Sequence, residues 1–355
     1  MRADLALVGF GHVGRRFGRL LAERRDWLAL DFDLDCRIVG IATKRHGCYF
    51  DREGIDAARS PADIERAGDS LEAGLNSFDV IRRLSDSRAD LKILIETTVL
   101  DVQTGQPAID YVRAALAAGC HVITANKGPA AFAYEELSAL AADRGVWFLF
   151  EGAVMDGVPV FNLVRETLPA VDILGFRGVI NSTTNHVLSA IEDGESFDAA
   201  LARMQAEGIA EADASLDIDG WDAAAKTAAL ANVFLRARTT PQAVEREGIG
   251  QPTARLAMAA KARGKRVRLV AAAQRTATGV TTSVRPVELA ETDMLAGLRG
   301  MANALILQTD LLDEIAITQL SGGITQTAYA LLSDLVTIRR RRPRAPAAVP
   351  QGRNP

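Results

Sequence analysis

The chain has 355 residues, of which 48% are hydrophobic and 24% are charged, which is enough apolar material for two domains with buried cores. The formal net charge of −4 gives no electrostatic attraction to nucleic acid or to an acidic membrane surface. No apolar run reaches the roughly 20 residues that a membrane-spanning helix needs. Three cysteines and four scattered histidines, none with metal-type spacing, predict a protein of the reducing cytoplasm without a zinc site.

Short apolar strands alternate with helical segments through the first 150 residues. The pattern predicts strands at 5–8, 37–42, 91–95, 121–124 and 146–150, and helices at 13–21, 107–118 and 134–144. Such alternation is typical of a parallel sheet with helices on both faces. Residues 1–150 are therefore predicted to form a Rossmann-type, doubly wound dinucleotide-binding domain.

The pattern changes after about residue 155, where alanine-rich helical segments alternate with strands of a different kind. Apolar and polar residues alternate in the segments 173–180, 265–270, 279–284, 303–307 and 314–318. This pattern predicts a second, α+β domain with a mixed or antiparallel sheet over residues 151–310. Residues 311–338 are predicted to return to the first domain and to end in a helix at 327–338, and the basic, Ala/Pro-rich tail 339–355 is predicted to be disordered.

A glycine motif lies between the first predicted strand and the first predicted helix. It has the spacing Gly-x-Gly-x-x-Gly and comprises Gly9, Phe10, Gly11, His12, Val13 and Gly14. Gly9 permits a tight turn, Gly11 lets the backbone approach a pyrophosphate, and Gly14 allows the helix to pack closely on the strand. Strand, motif and helix together predict a dinucleotide-binding site; the alternative is an ordinary strand–turn–helix loop.

Cofactor preference depends on the end of the second strand, where an NAD site usually carries an acid for the ribose diol. This chain has Thr43, Lys44 and Arg45 there, and two cations suit the 2′-phosphate of NADP. NADP(H) is therefore predicted to be preferred over NAD(H), the alternative being that both cations are simply solvated. Thr97 and Thr98 follow the next buried strand, at the edge where doubly wound sheets bind ligands, and are predicted to contact the cofactor.

The segment from Glu211 to Lys226 contains five acids followed by one lysine. A helix is predicted to begin near Asp219, which would be its N-cap, and Lys226 then shares a face with large apolar residues and points inward. Burial lowers the pKa of a lysine and nearby carboxylates raise it, so such a group can exchange protons near neutral pH. The alternative is an ordinary surface ion pair between Asp222 and Lys226.

These motifs, taken together, resemble homoserine dehydrogenase over residues 4–338. The matching segments beyond the glycine motif are Thr124–Pro129, Glu151–Val154, Asn181–Leu188, Glu207–Lys226, Asn303 and Ser321–Leu335. Several separate motifs in the correct order make the resemblance far more specific than the glycine spacing alone. It implies NAD(P)-dependent interconversion of L-homoserine and L-aspartate 4-semialdehyde, in the biosynthesis of threonine, methionine and isoleucine.

The resemblance also implies roles for individual residues. Lys226 would donate the proton to the aldehyde oxygen, and Lys127, near the nicotinamide, is a second candidate for that role. Glu211 would bind the substrate ammonium group and Asp222 the reacting hydroxyl. The remaining implied residues line the pocket (Asp217, Asn181 and Thr183) or close over the cofactor (Gly322 and Gly323).

Glu151 follows an apolar strand, where an unpaired acid is costly. The resemblance implies a monovalent cation such as sodium, held by this glutamate and by the carbonyls of Val154, Asp156 and Val158. The alternative is that Glu151 ends a strand at the surface or caps a turn. The resemblance further implies that residues 151–310 are the substrate and dimerisation domain of a homodimer. It also implies a short form with no aspartokinase before it and no regulatory domain after it.

Three positions depart from the family pattern. Ile209 stands where a tyrosine is usual, Ser182 where a glycine is usual, and Met155-Asp156 where small residues are usual. These departures leave two rivals: a dehydrogenase of the same fold that acts on a related amino-acid aldehyde, and a non-catalytic sensor that binds only the dinucleotide. The complete set of acids with Lys226 speaks against the sensor.

Overall fold

Twelve strands form two six-stranded sheets in the computed structural model, which describes residues 1–57, 74–207 and 213–341. The strands are β1 (Arg2–Val8), β2 (Asp35–Ala42), β3 (Cys48–Phe50), β4 (Leu91–Glu96), β5 (His121–Thr124), β6 (Phe148–Leu149), β7 (Ile173–Val179), β8 (Glu245–Arg246), β9 (Lys265–Thr276), β10 (Gly279–Ala290), β11 (Asn303–Thr309) and β12 (Glu314–Gln319). The strands predicted from apolar runs all lie within or next to these, whereas β3 and the two-residue β8 were not predicted.

The helices of the described residues connect these strands. They are α1 (His12–Glu23), α2 (Arg25–Phe32), α3 (Ser77–Ser85), α4 (Ala108–Ala117), α5 (Gly128–Asp143), α6 (Val160–Asn162), α7 (Ser182–Glu192), α8 (Phe197–Ala206), α9 (Ser215–Ile218), α10 (Trp221–Leu235), α11 (Gln251–Lys261) and α12 (Ile324–Arg340). Single 3-10 turns occupy Glu151–Ala153, Pro241–Ala243 and Met294–Gly297, and a π-helical turn occupies Leu163–Thr167. Helix α5 begins six residues before its predicted start at residue 134, and a kink at Ala133 separates its two parts.

The first sheet has the order β3-β2-β1-β4-β5-β6. All neighbours are parallel except β3, which closes an antiparallel hairpin with β2 at the edge. The strand order changes direction at β1, and doubly wound sheets bind ligands beyond the carboxyl ends of their strands at such a point. The predicted Rossmann-type sheet is therefore confirmed, and Gly9 and Thr97 are neighbours at the point where its order changes.

The second sheet, with the order β12-β11-β7-β9-β10-β8, is mixed as predicted. Its neighbours are antiparallel except for the short parallel pair β8–β10. Helix α10 packs against β9 and β10 of this sheet and against α5 of the first domain. Its many buried alanines keep its surface small, so it lies deep between the two units and carries Lys226 to their junction.

Helix α12 returns to the first domain and packs on α1. Strand β12 still pairs in the second sheet, so the return begins after Gln319 and the predicted boundary at residue 311 is too early. The helix also passes its predicted end at residue 338 and continues to Arg340, with Arg339 buried and bound to Asp33. Residues 339–341 of the predicted disordered tail are therefore ordered, and its remainder, 342–355, lies outside the described residues.

The three cysteines are free thiols, and Cys48 and Cys120 are buried. Burial raises the pKa of Cys120 to about 11, so this thiol stays protonated at neutral pH. Within the described part of the chain, no helix combines the length and the apolar composition needed to cross a membrane.

Candidate active site

The glycine motif forms the turn between β1 and α1. Gly9 has φ of +92°, and a Cβ there would lie 2.5 Å from the carbonyl carbon of Thr97. A Cβ on Gly14 would lie 2.7 Å from the carbonyl oxygen of Gly9, whereas one on Gly11 would meet no atom within 4 Å. Helix α1 has no side-chain cap and no acid in its first turn, so its first amides are available to a phosphate. The residues present therefore fit a dinucleotide pyrophosphate at this turn.

The other predicted cofactor residues differ in how they can contribute. The side chain of Phe10 is buried in the core, so only its backbone faces the turn, while His12 is exposed and Val13 half-buried at the start of α1. The hydroxyl of Thr43 donates to the carbonyl of Gly47 over 3.0 Å and accepts from the amide of His46 over 2.7 Å, so it holds the loop after β2. The exposed Lys44 and Arg45 follow in this loop.

A buried acid, Glu96, organises the carboxyl ends of β4 and β5. Its carboxylate accepts from the hydroxyls of Thr98 and Thr124, each over 2.5 Å, and burial raises its pKa. The hydroxyl of Thr97 donates to the carbonyl of Gly9 over 2.7 Å. Thr97 and Thr98 thus lie at the predicted edge, with their hydroxyl protons used to fasten the loops. The amide of Asn126 donates to the carbonyl of Thr98 over 3.1 Å and joins the loop after β5 to this network.

Lys226 lies on α10 and forms an ion pair with Asp222, one turn earlier, with 2.9 Å between Nζ and Oδ2. Only 13% of the lysine side chain and 18% of the aspartate side chain are exposed, so this is not the ordinary surface pair of the alternative interpretation. Nζ also donates to the carbonyl of Ile180 over 2.8 Å. The helix begins after Gly220, at φ of +80°, and not after Asp219, so the predicted N-cap is wrong.

Asn181 joins two of the acids. Its Nδ2 donates to Asp217 over 2.6 Å and to Asp222 over 2.9 Å, while its Oδ1 accepts from the amide of Thr184 and caps α7. Burial raises the pKa of Asp217, and a hydrogen bond from the buried Thr183 partly opposes this rise. The structure therefore brings these predicted pocket residues together at the start of two helices.

Lys127 brings the first domain into this cluster. It is the N-cap residue of α5, and its Nζ lies 3.2 Å from Oδ1 of Asp222, so one carboxylate binds a lysine from each domain. Burial acts to raise the pKa of Asp222, but the charges of Lys226 and Lys127 outweigh burial and hold this pKa well below its usual range. The cluster is therefore held together by one ionised carboxylate.

Burial also acts to lower the pKa of Lys226, and the neighbouring charge of Asp222 outweighs it, so the pKa of this lysine is raised. The pKa of Asp217 is raised, first by burial and then by the charge of Asp222. The group at position 226 is therefore an ammonium at neutral pH, which is the form that can donate a proton.

Two predicted residues of the substrate side, Glu211 and Ile209, lie outside the described residues.

Glu151 is buried and lies in the 3-10 turn after β6. Its two carboxylate oxygens accept from the amides of Phe161 over 2.8 Å and Asn162 over 2.7 Å, so it caps a helical segment from the interior and does not end a strand at the surface. Burial, and then the charge of Asp334, raises the pKa of Glu151 to about 8. The carbonyl of Val158 accepts from the amide of Val160 over 2.8 Å.

Asp156 directs its side chain away from this turn and toward the segment between β12 and α12. Oδ2 accepts from the amide of Gly323 over 3.3 Å and Oδ1 accepts from the hydroxyl of Thr327 over 2.9 Å. The start of α12 also contacts α1, where Arg16 donates to the hydroxyl of Thr325 over 3.1 Å. Gly322 and Gly323 therefore lie next to the end of α12 that contacts α1, the helix that follows the glycine motif.

Sequence reasoning missed three contributors to this region: the carboxylate of Glu96, the carbonyl of Ile180, and the side-chain amide of Gln319, which donates to Oδ2 of Asp156 over 2.9 Å. Glu96 gave a signal, since an acid at the end of a buried strand must be paired or protonated. The other two gave none, because a carbonyl has no side-chain signature and a glutamine at a strand end is common. The arrangement as a whole offers a dinucleotide turn and, at the domain junction, a fixed ammonium group with two flanking carboxylates.

Two family models match the chain: homoserine dehydrogenase, NAD binding domain, over residues 9–151, and homoserine dehydrogenase over residues 159–336. The chain is 37% identical to an NAD(+)-dependent homoserine dehydrogenase of Pseudomonas canavaninivorans over 337 residues, which are 94% of this chain and 95% of that relative. A homoserine dehydrogenase structure from Thiobacillus denitrificans has a TM-score of 0.80 and 30% identity over 96% of this chain and 74% of that one. A hyperthermophilic archaeal homoserine dehydrogenase in complex with NADPH has a TM-score of 0.77 and 27% identity over 97% of this chain and 99% of that one. The chain therefore belongs to the homoserine dehydrogenase family.

Proposed function

We propose that the chain interconverts L-homoserine and L-aspartate 4-semialdehyde with a nicotinamide dinucleotide, and that Lys226 donates the proton to the aldehyde oxygen. The proposal depends above all on the half-buried cluster in which Asp222 binds Lys226 and Lys127 at the junction of the two domains. The activity would serve the biosynthesis of threonine, methionine and isoleucine.

The ammonium of Lys226 has three N–H groups. Asp222 and the carbonyl of Ile180 each accept one of them, which fixes Nζ and leaves the third for the carbonyl oxygen of a substrate. A reduced nicotinamide dinucleotide, held by the glycine motif, would supply the hydride for the aldehyde carbon. The aldehyde oxygen takes its proton from Lys226, so that aldehyde, hydride and proton give the alcohol. In the oxidation of homoserine, the neutral amine removes the hydroxyl proton.

The remaining residues of the cluster have supporting roles in this proposal. Lys127 adds a second positive charge where negative charge develops on the oxygen, which stabilises the transition state. Asp217 and Glu211 provide negative charge for the substrate ammonium group. Asn181 holds Asp217 and Asp222 apart at a fixed spacing, since one amide nitrogen donates to both.

Substitution of Lys226 tests the assignment. Lys226→Ala should lower kcat for semialdehyde reduction by about 10²- to 10⁴-fold, the usual contribution of a general acid, with dinucleotide binding retained. Lys226→Arg should be nearly as inactive, because a guanidinium keeps the charge but does not release its proton. Lys265→Ala, on the exposed start of β9, is the matched control. Near-normal turnover of Lys226→Ala would rule out the assignment, and faster turnover of another amino-acid aldehyde by the unsubstituted protein would favour the rival substrate.

NADP(H) as the preferred cofactor is part of the proposal. The exposed cations Lys44 and Arg45 support it, and so does the NADPH complex of the archaeal relative, while the Pseudomonas relative is named as NAD(+)-dependent. Replacing both cations with alanine should raise KM for NADPH by about tenfold to a hundredfold, the range expected for lost hydrogen bonds between charged groups. KM for NADH is the internal control and should change little. A wild-type preference for NADH would contradict the proposal.

A monovalent cation at Glu151 and a homodimer complete the proposal. Buried carboxylates at Glu151 and Asp334 support the cation, because a positive charge would offset their burial. The edge strand β12 supports the homodimer, because exposed leucines flank it at 65% (Leu311), 49% (Leu312) and 82% (Leu320). Light scattering after size exclusion would test the dimer, and a monomer at assay concentrations would contradict it.

A further inference from the structure

Asp156 has an unusual backbone and a side chain that accepts three hydrogen bonds. Its φ is +46°, a left-handed conformation that non-glycine residues rarely adopt, although aspartate tolerates it better than most. Its carboxylate accepts from the amide of Gly323, the hydroxyl of Thr327 and, over 2.9 Å, the Nε2 of Gln319. A Cβ on Gly322 would overlap this carboxylate, so the chain passes directly against it.

The Gln319 contact continues into a chain of hydrogen bonds that reaches the substrate side. Gln319 and Asn303 are opposite residues in the β11–β12 pair, and Nδ2 of Asn303 lies 3.4 Å from Oε1 of Gln319. The same Nδ2 donates to the hydroxyl of Ser182 over 2.8 Å. Both linking residues are almost fully buried, at 4% and 3% exposure, so their contacts do not compete with bulk water.

Both ends of this series of hydrogen bonds lie next to groups that the proposed reaction uses. Ser182 directly follows Asn181, whose amide binds Asp217 and Asp222. Asp156 binds Gly323, at the start of the helix that packs on α1. The charge of Asp156 also acts on Lys226 and contributes to its raised pKa. Two side chains that depart from the family pattern, at 156 and 182, are therefore the two ends of one connected set.

We propose that Asp156 is a positioning residue that fastens Gly322 and Gly323 beside the dinucleotide site, and that Gln319 and Asn303 link this segment to the substrate side through Ser182. A pair of glycines loses much backbone entropy when it is ordered, so ordering the pair in advance strengthens the binding of a ligand that packs against it. Because the link ends beside Asn181, binding of substrate and binding of dinucleotide should each strengthen the other by the same factor. This inference rests on the proposed function for the identity of the two ligands.

The test measures dinucleotide Kd from the fluorescence of the reduced cofactor, with and without homoserine, because these two compounds do not react with each other. Asp156→Gly removes the carboxylate and suits the φ of +46°, so the fold should be kept, and melting temperature checks this. Kd should rise about tenfold, in line with the loss of charge-assisted hydrogen bonds. Asp156→Asn, which retains one acceptor oxygen, should give a smaller rise. Asp310→Asn is the matched control, because Asp310 also joins two segments, through the amide of Asp172, away from the site.

Ser182→Ala tests the link. In Ser182→Ala, the factor by which homoserine lowers the dinucleotide Kd should fall toward one. Adding Asp156→Gly to Ser182→Ala should not lower this factor any further. An unchanged Kd in a folded Asp156→Gly would overturn the role of Asp156, and an unchanged factor in Ser182→Ala would overturn the link. Failure of the unsubstituted protein to oxidise homoserine would instead overturn the proposed function, while the Kd of Asp156→Gly without homoserine would still decide the role of Asp156.

Discussion

Asp222→Asn removes the charge that lies between the two lysines while keeping the size of the side chain. Asp222 is 2.9 Å from Nζ of Lys226, and an opposite charge within about 4–6 Å shifts a pKa by about 1–3 units. Removing this charge should therefore lower the pKa of Lys226, because burial is then opposed by the weaker charges of Asp156 and Asp217. Each unit corresponds to about 1.4 kcal/mol between the charged and neutral amine.

The sign of the pH effect follows from the role of the ammonium. Reduction needs the protonated amine, so its kcat/KM falls as pH rises through the pKa of Lys226, and oxidation rises through the same pKa. In Asp222→Asn both transitions should move to lower pH than in the unsubstituted protein. The assay is kcat/KM in both directions from neutral to strongly alkaline pH, with Asp219→Asn, an exposed acid before the same helix, as control. A transition that stays in place, or moves to higher pH, would refute the assignment of Lys226.

Two further predictions follow from the turn and from the buried acids. Gly11→Ala should keep the melting temperature of the unsubstituted protein but bind dinucleotide weakly, because the added methyl meets only the space where a phosphate would lie. Gly9→Ala should melt at a lower temperature, because position 9 has φ of +92° and the added methyl would collide with Thr97. The raised pKa of Glu151, about 8, means that the folded state keeps a proton that the unfolded state loses, so its contribution to stability is lost as pH rises through this value. A cation bound beside Glu151 should make sodium chloride raise the melting temperature more than choline chloride does. This difference between the two salts should be larger above the pKa of Glu151 than well below it, and an equal difference at both pH values would contradict the cation site.

The parts of the fold that follow from local pattern could be predicted from the sequence. The strand β5 was predicted to the residue, because three β-branched residues (Val122, Ile123 and Thr124) lie between a glycine at 119 and the turn residues that begin at Asn126. The glycine motif was predicted with its turn, because three glycines with backbone roles leave few other structures. The inward direction of Lys226 also followed, because its helical face is otherwise apolar.

Contacts between distant segments could not be predicted in the same way. The resemblance implied a cation site for the carbonyl of Asp156 and gave no partner for its carboxylate, which binds residues more than 160 positions later. The start of α10 was placed one residue too early, because Asp219 is a better cap by residue type than Gly220. Position 220 has a positive φ, which favours glycine. Residue preferences for capping alone do not reveal this requirement.

The carboxylate of Asp222 connects the assembly of the site with its chemistry. Lys127 comes from the first domain and Lys226 from the second, and two ammonium groups this close would repel each other if no acid lay between them. Because Asp222 binds both, the charge that sets the protonation of Lys226 also favours the contact between the domains. Neither domain alone can form this cluster, although the acids that raise the pKa of Lys226 lie with it in the second domain. The protonation of Lys226 depends on its pair with Asp222, and the contact between the domains depends on the pair of Asp222 with Lys127, so a change at Asp222 should alter both.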